Sequence, residues 1–283
     1  MSYTLRPMLL GVHCSVAGGL ENAFAEAAAK DIDTFQIFTR NQRQWKAKPL
    51  SEEEKKKFSL GRKQSKVKTI FSHCSYLLNL GTANSEVHQK TITALTEEVI
   101  RCTELGVSFC VLHPGAAGEQ TKEQAMLNIA RGLKQVLQDT AHSKVIIALE
   151  NTAGQGSSVG GPFENLKFIY DEVKSDRIGF CLDTCHAFVQ GFDIRTGKGM
   201  GNTLDAFDKI CGLKNLCAFH LNDSKGDLGS HLDRHEHIGK GKIGLNAFRH
   251  IMKNFSAIPK VIETKKEDDW DEKNLEVLRN LAM

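Results

Sequence analysis

The sequence predicts one α/β domain over residues 1–283, folded as a (β/α)8 TIM barrel, and three observations support this prediction. Short, almost wholly apolar runs recur about every 35 residues, close to the spacing that eight βα units require. The segments between them show helical periodicity, and no Pro/Ser-rich linker divides the chain. A composition of 41% hydrophobic and 25% charged residues excludes a disordered or collagen-like chain.

The apolar runs are the predicted strands, and their near-continuous hydrophobicity is typical of strands buried on both faces of a parallel sheet. They span residues 9–13, 34–40, 69–73, 109–115, 145–152, 178–186, 216–223 and 260–264. Apolar residues three or four apart, such as Ile92, Leu95 and Val99, predict amphipathic helices between them. A doubly wound open sheet is the main alternative, but the first loop, Ser15–Gly19, lacks its glycine-rich phosphate-binding pattern.

Charge and cysteine content limit the class of protein. A net charge of +3 is too small to indicate a polyanionic partner by itself. The eight cysteines form no C-x-x-C pair, and several lie in apolar segments, which predicts reduced thiols. No apolar run approaches the roughly 20 residues that span a bilayer, and the first ten residues lack the pattern of a secretory signal. We therefore expect an intracellular, cytoplasmic protein without a membrane partner.

Six of the eight predicted strands end in His, Asp or Glu, at the rim where barrel enzymes assemble their sites. One such residue is more often scaffold or a helix cap, but several buried together need cations or partners. Nitrogen and oxygen donors without thiolates favour Zn²⁺, with Mn²⁺ or Fe²⁺ as alternatives. Nine candidates fit two or three ions, a cluster suited to phosphodiester hydrolysis. They are His73, His113, Glu150, Asp183, His186, His220, Asp233, His235 and Glu263.

Three other features of the sequence concern the predicted site. His13 ends the first predicted strand without an obvious partner, so we expect it to face the substrate or to support a ligand. Asp233 and His235 lie in a segment that is predicted to be irregular. The segment after the second strand is basic and includes Trp45, which predicts either a solvated loop or contacts to phosphates. Its basic residues are Arg40, Arg43, Lys46 and Lys48.

Eight motifs between Leu10 and Thr264 occur in the order found in the endonuclease IV family of metal-dependent apurinic/apyrimidinic endonucleases, which the chain resembles. The motifs are NQRQW (41–45), HCSYLLNLG (73–81), HPG (113–115), ENTAGQGS (150–157), DTCHAF (183–188), HLND (220–223), DRH (233–235) and IET (262–264). The resemblance implies a base-excision repair enzyme that hydrolyses the phosphodiester 5′ to an abasic site. The products would be a 3′-hydroxyl and a 5′-deoxyribose phosphate. A phosphodiesterase activity that cleans blocked 3′ ends is also expected.

The same resemblance implies three Zn²⁺ ions per chain, with Mn²⁺ or Fe²⁺ as alternatives at one site, and Glu150 as the catalytic residue. It assigns His73, His113 and Glu150 to the first ion. Glu150 would bridge to a second ion held also by Asp183, His220 and Glu263, and the third would be held by His186, Asp233 and His235. The expected partner is double-stranded DNA with abasic sites or blocked 3′ ends, bound by a monomer. The residues expected to contact DNA are Asn41, Arg43, Gln44, Tyr76 and Leu77.

Two other functions remain open from the residues. A metal-dependent sugar isomerase or epimerase on the same barrel would use only Glu150, Asp183, His220 and Glu263, and would leave the other five candidates without a role. A lesion-binding protein that does not cut DNA would need no complete set of metal ligands. Metal analysis separates the first alternative from a nuclease, and an incision assay separates the second.

Overall fold

A computed structural model describes residues 8–283, and in this range eight parallel strands close into a barrel. The strands of the described range, of which all but β8 and β9 belong to the barrel, are β1 (Leu10–His13), β2 (Thr34–Ile37), β3 (Thr69–His73), β4 (Phe109–Leu112), β5 (Ile146–Glu150), β6 (Ile178–Asp183), β7 (Leu216–His220), β8 (Asp223–Ser224), β9 (His235–Glu236) and β10 (Lys260–Ile262). Around the barrel the order is β1, β10, β7, β6, β5, β4, β3 and β2, and β2 pairs with β1. Strands β8 and β9 form a separate antiparallel pair. The predicted (β/α)8 fold class is confirmed.

Helices follow the barrel strands and cover the outside of the barrel. They are α1 (Asn22–Ala29), α2 (Glu52–Gln64), α3 (Ser85–Leu105), α4 (Lys122–Asp139), α5 (Phe163–Val173), α6 (Thr184–Gln190), α7 (Gly197–Cys211), α8 (Leu245–Asn254) and α9 (Trp270–Ala282). The predicted apolar stripe of Ile92, Leu95 and Val99 is the buried face of α3. Apolar burial between these helices and the strands forms the main core, as the periodicity of the sequence predicts.

A second, smaller group of buried residues fills the inside of the barrel. The rings of Phe71 and Phe109 stack there with centroids 4.6 Å apart. The members of this inner cluster are Phe71, Phe109, Val111, Ala148, Cys181, Ala218 and Val261. Successive side chains of a strand point to opposite faces, so the residues two positions further along each strand also face the inside. The inner cluster therefore fixes the direction of the side chains at the carboxyl rim.

Several predicted strands extend too far, and the differences lie at the carboxyl rim. The sixth run was predicted over residues 178–186, but β6 ends at Asp183 and α6 begins at Thr184. The Asp183 carboxylate accepts a hydrogen bond from the His186 backbone N–H at 2.8 Å, which caps this helix. His186 therefore lies on a helix and not at a strand end. The prediction of an irregular segment around Asp233 and His235 was incomplete, because His235 begins β9.

Within the described range, no helix has the length and apolar character needed to cross a membrane, and all eight cysteines are free. Residues 1–7 lie outside the described residues. The prediction that the first ten residues carry no secretory signal therefore falls mostly outside the structure. The prediction of one domain over all of residues 1–283 stays a prediction.

A buried lysine lies at the amino end of the barrel, opposite the rim with the candidate ligands. Lys260 begins β10 and is 0% exposed, and its Nζ donates hydrogen bonds to the carbonyls of Ile258, at 2.6 Å, and Phe255. Burial lowers the pKa of Lys260 from 10.5 to about 8, and the charge of Asp33 opposes this shift only in part. The protonated amine is therefore less favourable in the folded chain than in the unfolded chain.

This lowered pKa predicts a pH-dependent stability. Between the folded pKa of about 8 and the unfolded value of 10.5 the unfolded chain binds more protons, so the Lys260 contribution to stability increases with pH. In Lys260→Met this contribution is absent. Wild type should therefore gain roughly 1–2 kcal/mol relative to the variant between about pH 7.5 and about pH 9.5, measured by urea unfolding. The exposed α8 variant Lys253→Met is the control. Parallel pH profiles for wild type and Lys260→Met would contradict this account.

Candidate metal centre

Six of the nine candidate ligands stand two residues after a member of the inner cluster, at the end of a strand or directly after it. Since strand side chains alternate between faces, each candidate continues the inward-facing row one step nearer the carboxyl rim. The pairs are Phe71 and His73, Val111 and His113, Ala148 and Glu150, Cys181 and Asp183, Ala218 and His220, and Val261 and Glu263. The barrel itself therefore brings together residues that are far apart in the sequence.

Glu150 lies at the centre of the site and is fully buried. Its Oε2 is 3.0 Å from His113 Nε2 and 3.3 Å from His73 Nε2. Its Oε1 is 2.9 Å from His220 Nδ1 and 3.4 Å from His186 Nδ1. One carboxylate thus contacts four imidazoles, two through each oxygen. This is the position that a bridging ligand requires.

All nine predicted ligands are close together. In each of several groups, the nitrogen or oxygen atoms lie within 4.8 Å of one another, near enough to bind one ion. These groups are His73, His113 and Glu150; Glu150, Asp183, His220 and Glu263; and Asp183, His186 and His235. Asp233 lies with Cys185 and His235 in a further group. The first two groups have the same members as the predicted sets. The third has Asp183 where Asp233 was predicted, so Asp183 belongs to two groups.

Over the described residues, the candidate carboxylates pair with histidines and not with lysine or arginine. The candidate carboxylates are Glu150, Asp183, Asp233 and Glu263, and among residues 8–283 their ion-pair partners are all histidines. Burial raises the pKa of Glu150 and Glu263, but the neighbouring histidines more than offset this, so both pKa values lie well below the usual range. Burial opposes protonation of His186 and His220, but nearby anionic groups raise the pKa of both well above 6.5.

Within the range that the structure describes, two imidazole nitrogens at the site have no hydrogen-bond partner. They are Nε2 of His186 and Nε2 of His235, both buried atoms. Each lies close to Asp233 Oδ1, at 3.2 and 3.4 Å, but neither contact has hydrogen-bond geometry. Buried polar atoms are almost always satisfied in folded proteins, so these two nitrogens fit the role of ligands to an ion. Burial alone would raise the pKa of Asp233, but these histidines lower it to about 2, so its carboxylate stays ionised.

Buried asparagines that the sequence reasoning missed hold the ligands in place. Asn222 Nδ2 donates to Asp183 Oδ2 at 2.6 Å, and Asn222 Oδ1 accepts from the Glu263 backbone N–H at 2.9 Å. Asn151 Oδ1 accepts from the Asp183 backbone N–H at 2.7 Å. Such supporting hydrogen bonds orient ligands and tune their affinity. An available signal was their position, since each asparagine stands one or two residues after a candidate ligand at a strand end.

A second missed residue, Asp223, anchors the segment that carries Asp233 and His235. Its buried carboxylate accepts backbone N–H groups from both ends of this segment. The distances are 2.8 Å to Ser224, 2.9 Å to Gly239, 3.1 Å to Gly241 and 2.9 Å to Ile243. These four bonds close the segment into a loop and bring its ligands back over the rim. No local sequence pattern identifies such a contact.

The five residues predicted to contact DNA lie beside the site. Asn41, Arg43 and Gln44 are exposed in the loop after β2, and Leu77 is half-buried. The Tyr76 side chain is 62% exposed, and its ring centroid is 5.2 Å from that of His73. These residues therefore share the rim with the candidate metal ligands.

Arg40 is not solvated, although a solvated loop was one of the two predictions for the basic segment after β2. Its side chain is 5% exposed and pairs with Glu97 Oε2 at 2.9 Å. It also donates to the backbone carbonyls of Gln44 and Trp45, at 3.3 and 2.8 Å. Since its guanidinium is occupied within the protein, Arg40 shapes the loop that presents Arg43.

His13 is placed to support the site. Its Nδ1 is 2.8 Å from Gln36 Nε2, and the same Gln36 amide contacts Glu263 and His220. Of the two roles predicted for His13, this contact favours the support of a ligand. The contact runs through Gln36, a buried polar residue in β2 that the sequence reasoning also missed.

Comparisons with known proteins agree with this geometry. A family described as xylose isomerase-like TIM barrel matches residues 24–281. The "Probable endonuclease 4" of Campylobacter hominis is 43% identical over 278 residues, which cover 96% of this chain and 98% of that protein. The protein of the same name from Chloroflexus aurantiacus is 39% identical over 277 residues, 96% of this chain and 97% of its own.

A solved structure adds the same result at the level of the fold. The crystal structure of endonuclease IV from Thermus thermophilus superposes with a TM-score of 0.86 at 33% sequence identity. The superposition covers 97% of this chain and 98% of that one. In each of these three pairwise comparisons the similarity covers at least 96% of both chains. This chain belongs to the endonuclease IV family.

Proposed function

We propose that this chain is a DNA-repair endonuclease that hydrolyses the phosphodiester 5′ to an abasic site, using three zinc ions. The products are a 3′-hydroxyl and a 5′-deoxyribose phosphate, and the same hydrolysis removes blocking groups from 3′ ends. The observation that carries the proposal is the convergence of nine side chains with nitrogen or oxygen donors, with Glu150 at their centre. The relatives named endonuclease 4 support the choice of DNA as the substrate.

The donor set fits zinc. Five imidazoles and four carboxylates are ligands that Zn²⁺ accepts, and the two unpartnered Nε2 atoms of His186 and His235 lie close to Asp233. The proposed division gives one ion to His73, His113 and Glu150, a second to Glu150, Asp183, His220 and Glu263, and a third to His186, Asp233 and His235. Mn²⁺ or Fe²⁺ are alternatives at one of these sites. When bound, such ions supply an activated water and offset the charge on a phosphate in displacement.

The protein positions the substrate at the open side of the site. His113, Asp233, His235 and Glu263 are half-buried, whereas Glu150 is fully enclosed below them. A cavity of about 270 Å³ adjoins them and is lined by residues that include Tyr76, His113, Thr152, Gln155 and Asp233. This volume accommodates a sugar-phosphate unit turned out of a duplex, with its phosphate beside His113 and Asp233.

Selection of damaged DNA is proposed for the rim residues Arg43, Tyr76 and Leu77. Tyr76 is exposed although its ring is aromatic, as expected of a group that inserts into a base stack. Ser75 Oγ donates to the Gln42 carbonyl at 2.5 Å and so couples the two loops that carry these residues. Separating stacked bases costs a few kcal/mol per step and costs least where a base is absent. This difference favours binding at abasic sites.

The two alternative functions explain fewer of the observations. An isomerase site of Glu150, Asp183, His220 and Glu263 gives no reason for His73, His113, His186, Asp233 and His235 to surround it. A protein that only binds lesions has no need of buried carboxylates balanced by histidines, which are costly to maintain. The monomeric state and the intracellular location remain predictions.

The first test is incision of a duplex that contains one abasic site. We expect wild type to nick the strand 5′ to the lesion without added magnesium and to leave a 3′-hydroxyl, detected on a denaturing gel. Glu150→Gln should lower the rate by about a thousandfold or more, because it removes the charge that would be shared by two ions. Each of these ions is expected to stabilise the transition state by several kcal/mol. Glu276→Gln, on the exposed face of α9, is the matched control and should keep the wild-type rate. Binding of the abasic duplex without any nick would rule out the nuclease.

The second test concerns the selection of damaged DNA. Tyr76→Ala and Arg43→Ala should each lower the preference for abasic over intact duplex by about tenfold to a hundredfold. This is the effect expected from losing one stacked group, which contributes roughly 1–3 kcal/mol to binding. Zinc content, measured by elemental analysis, should remain that of wild type. Arg249→Ala removes the same charge from the exposed face of α8 and should leave the preference unchanged. Loss of zinc from the Tyr76 or Arg43 variants would assign these residues to the metal scaffold.

A further inference from the structure

Gln36 is a fully buried amide in β2, a strand whose four residues are all buried. Three polar side chains surround it, each from a different barrel segment. Its Nε2 is 2.6 Å from Glu263 Oε1 and 2.8 Å from His13 Nδ1. Its Oε1 is 2.8 Å from His220 Nε2. The amide therefore uses both of its N–H donors and its carbonyl oxygen.

The chemistry of these partners allows one orientation of the amide. An ionised carboxylate only accepts hydrogen bonds, so the NH₂ group of Gln36 faces Glu263. The second N–H then points to His13 Nδ1, which must act as an acceptor. The carbonyl oxygen is left for His220, and an oxygen acceptor there requires that His220 Nε2 carries a proton.

This requirement fixes the other nitrogen of His220. With Nε2 bonded to the amide oxygen, Nδ1 is the His220 nitrogen that is left to bind a metal ion. Nδ1 lies 2.9 Å from Glu150 Oε1 and 3.1 Å from Glu263 Oε2. This nitrogen and the two carboxylates are therefore close enough to bind one cation. The contacts of Gln36 thus prepare His220 and Glu263 together for an ion on the side away from the amide.

We propose that Gln36 is a positioning residue for the metal site of Glu150, Asp183, His220 and Glu263, an inference that rests on the proposed function. It selects the His220 tautomer whose Nδ1 is free for the ion, and it holds Glu263 Oε1 so that Oε2 faces the same ion. Gln36 itself does not bind the metal. A purely apolar residue at this position would remove these hydrogen bonds from His13, His220 and Glu263, of which His220 is fully buried.

The experiment compares zinc binding by wild type, Gln36→Met and Thr34→Val. Methionine keeps the length of the side chain and removes its hydrogen bonds. Thr34 lies on the same face of β2, is also fully buried and donates to the Thr69 carbonyl at 2.9 Å, so Thr34→Val removes one buried hydrogen bond away from the site. Zinc-free proteins are titrated against a chromophoric chelator, and their thermal unfolding is recorded without metal.

We expect Gln36→Met to bind one zinc ion about tenfold to a hundredfold more weakly than wild type, the usual effect of losing a residue that orients a ligand. Thr34→Val should bind all ions as wild type does, even if its metal-free form unfolds at a lower temperature. Zinc affinities of Gln36→Met within about twofold of wild type at every site would overturn the inference. Failure of wild type itself to bind zinc would instead overturn the proposed function.

A measurement on the unaltered protein covers the case in which Gln36→Met does not fold. Long-range ¹H–¹⁵N correlation spectra of the zinc-loaded protein report which nitrogen of each assigned histidine carries the proton. We expect His220 to be protonated at Nε2 and not at Nδ1. The opposite tautomer would contradict the role of Gln36, whatever the behaviour of the variant.

Discussion

The structure depends on the burial of carboxylates at one end of the barrel. Glu150 and Asp183 are fully buried, and in the described part of the chain neither forms an ion pair with lysine or arginine. Moving such charges out of water costs several kcal/mol each unless partners compensate it. Histidines provide part of that compensation, and the proposed zinc ions provide the rest. The hydrogen bonds of Asn151, Asn222 and Asp223 then serve to hold these charges at fixed distances.

The barrel supplies the geometry that this compensation requires. In a closed parallel barrel the carboxyl ends of all strands meet at one rim, whereas in an open sheet the outer strands lie far apart. The inner cluster lies one step below the site, since Ala148 precedes Glu150 and Ala218 precedes His220 by two residues on the same strand. Substitutions in this cluster would move the ligands as well as the core. Stability and metal binding are therefore linked through the same side chains.

Much of this could be predicted from the sequence, because strands buried on both faces form apolar runs and ligands follow them directly. The ends of the strands were less predictable, since residues after β6 stay buried as helix α6 and keep an apolar appearance. Contacts between distant residues had no local signal. Gln36 and Glu263 are 227 residues apart, and Asp223 contacts Gly241 only after the chain has turned back. Arg40 looked like a free cation because its partner Glu97 lies on α3.

The central claim is that nine side chains bind three zinc ions in one pocket. Anomalous diffraction recorded on both sides of the zinc absorption edge, from crystals grown with zinc, tests this most directly. The account predicts three peaks, one beside His73 and His113, one beside His220 and Glu263, and one beside Asp233 and His235. Fewer peaks, or peaks away from Glu150, would contradict it.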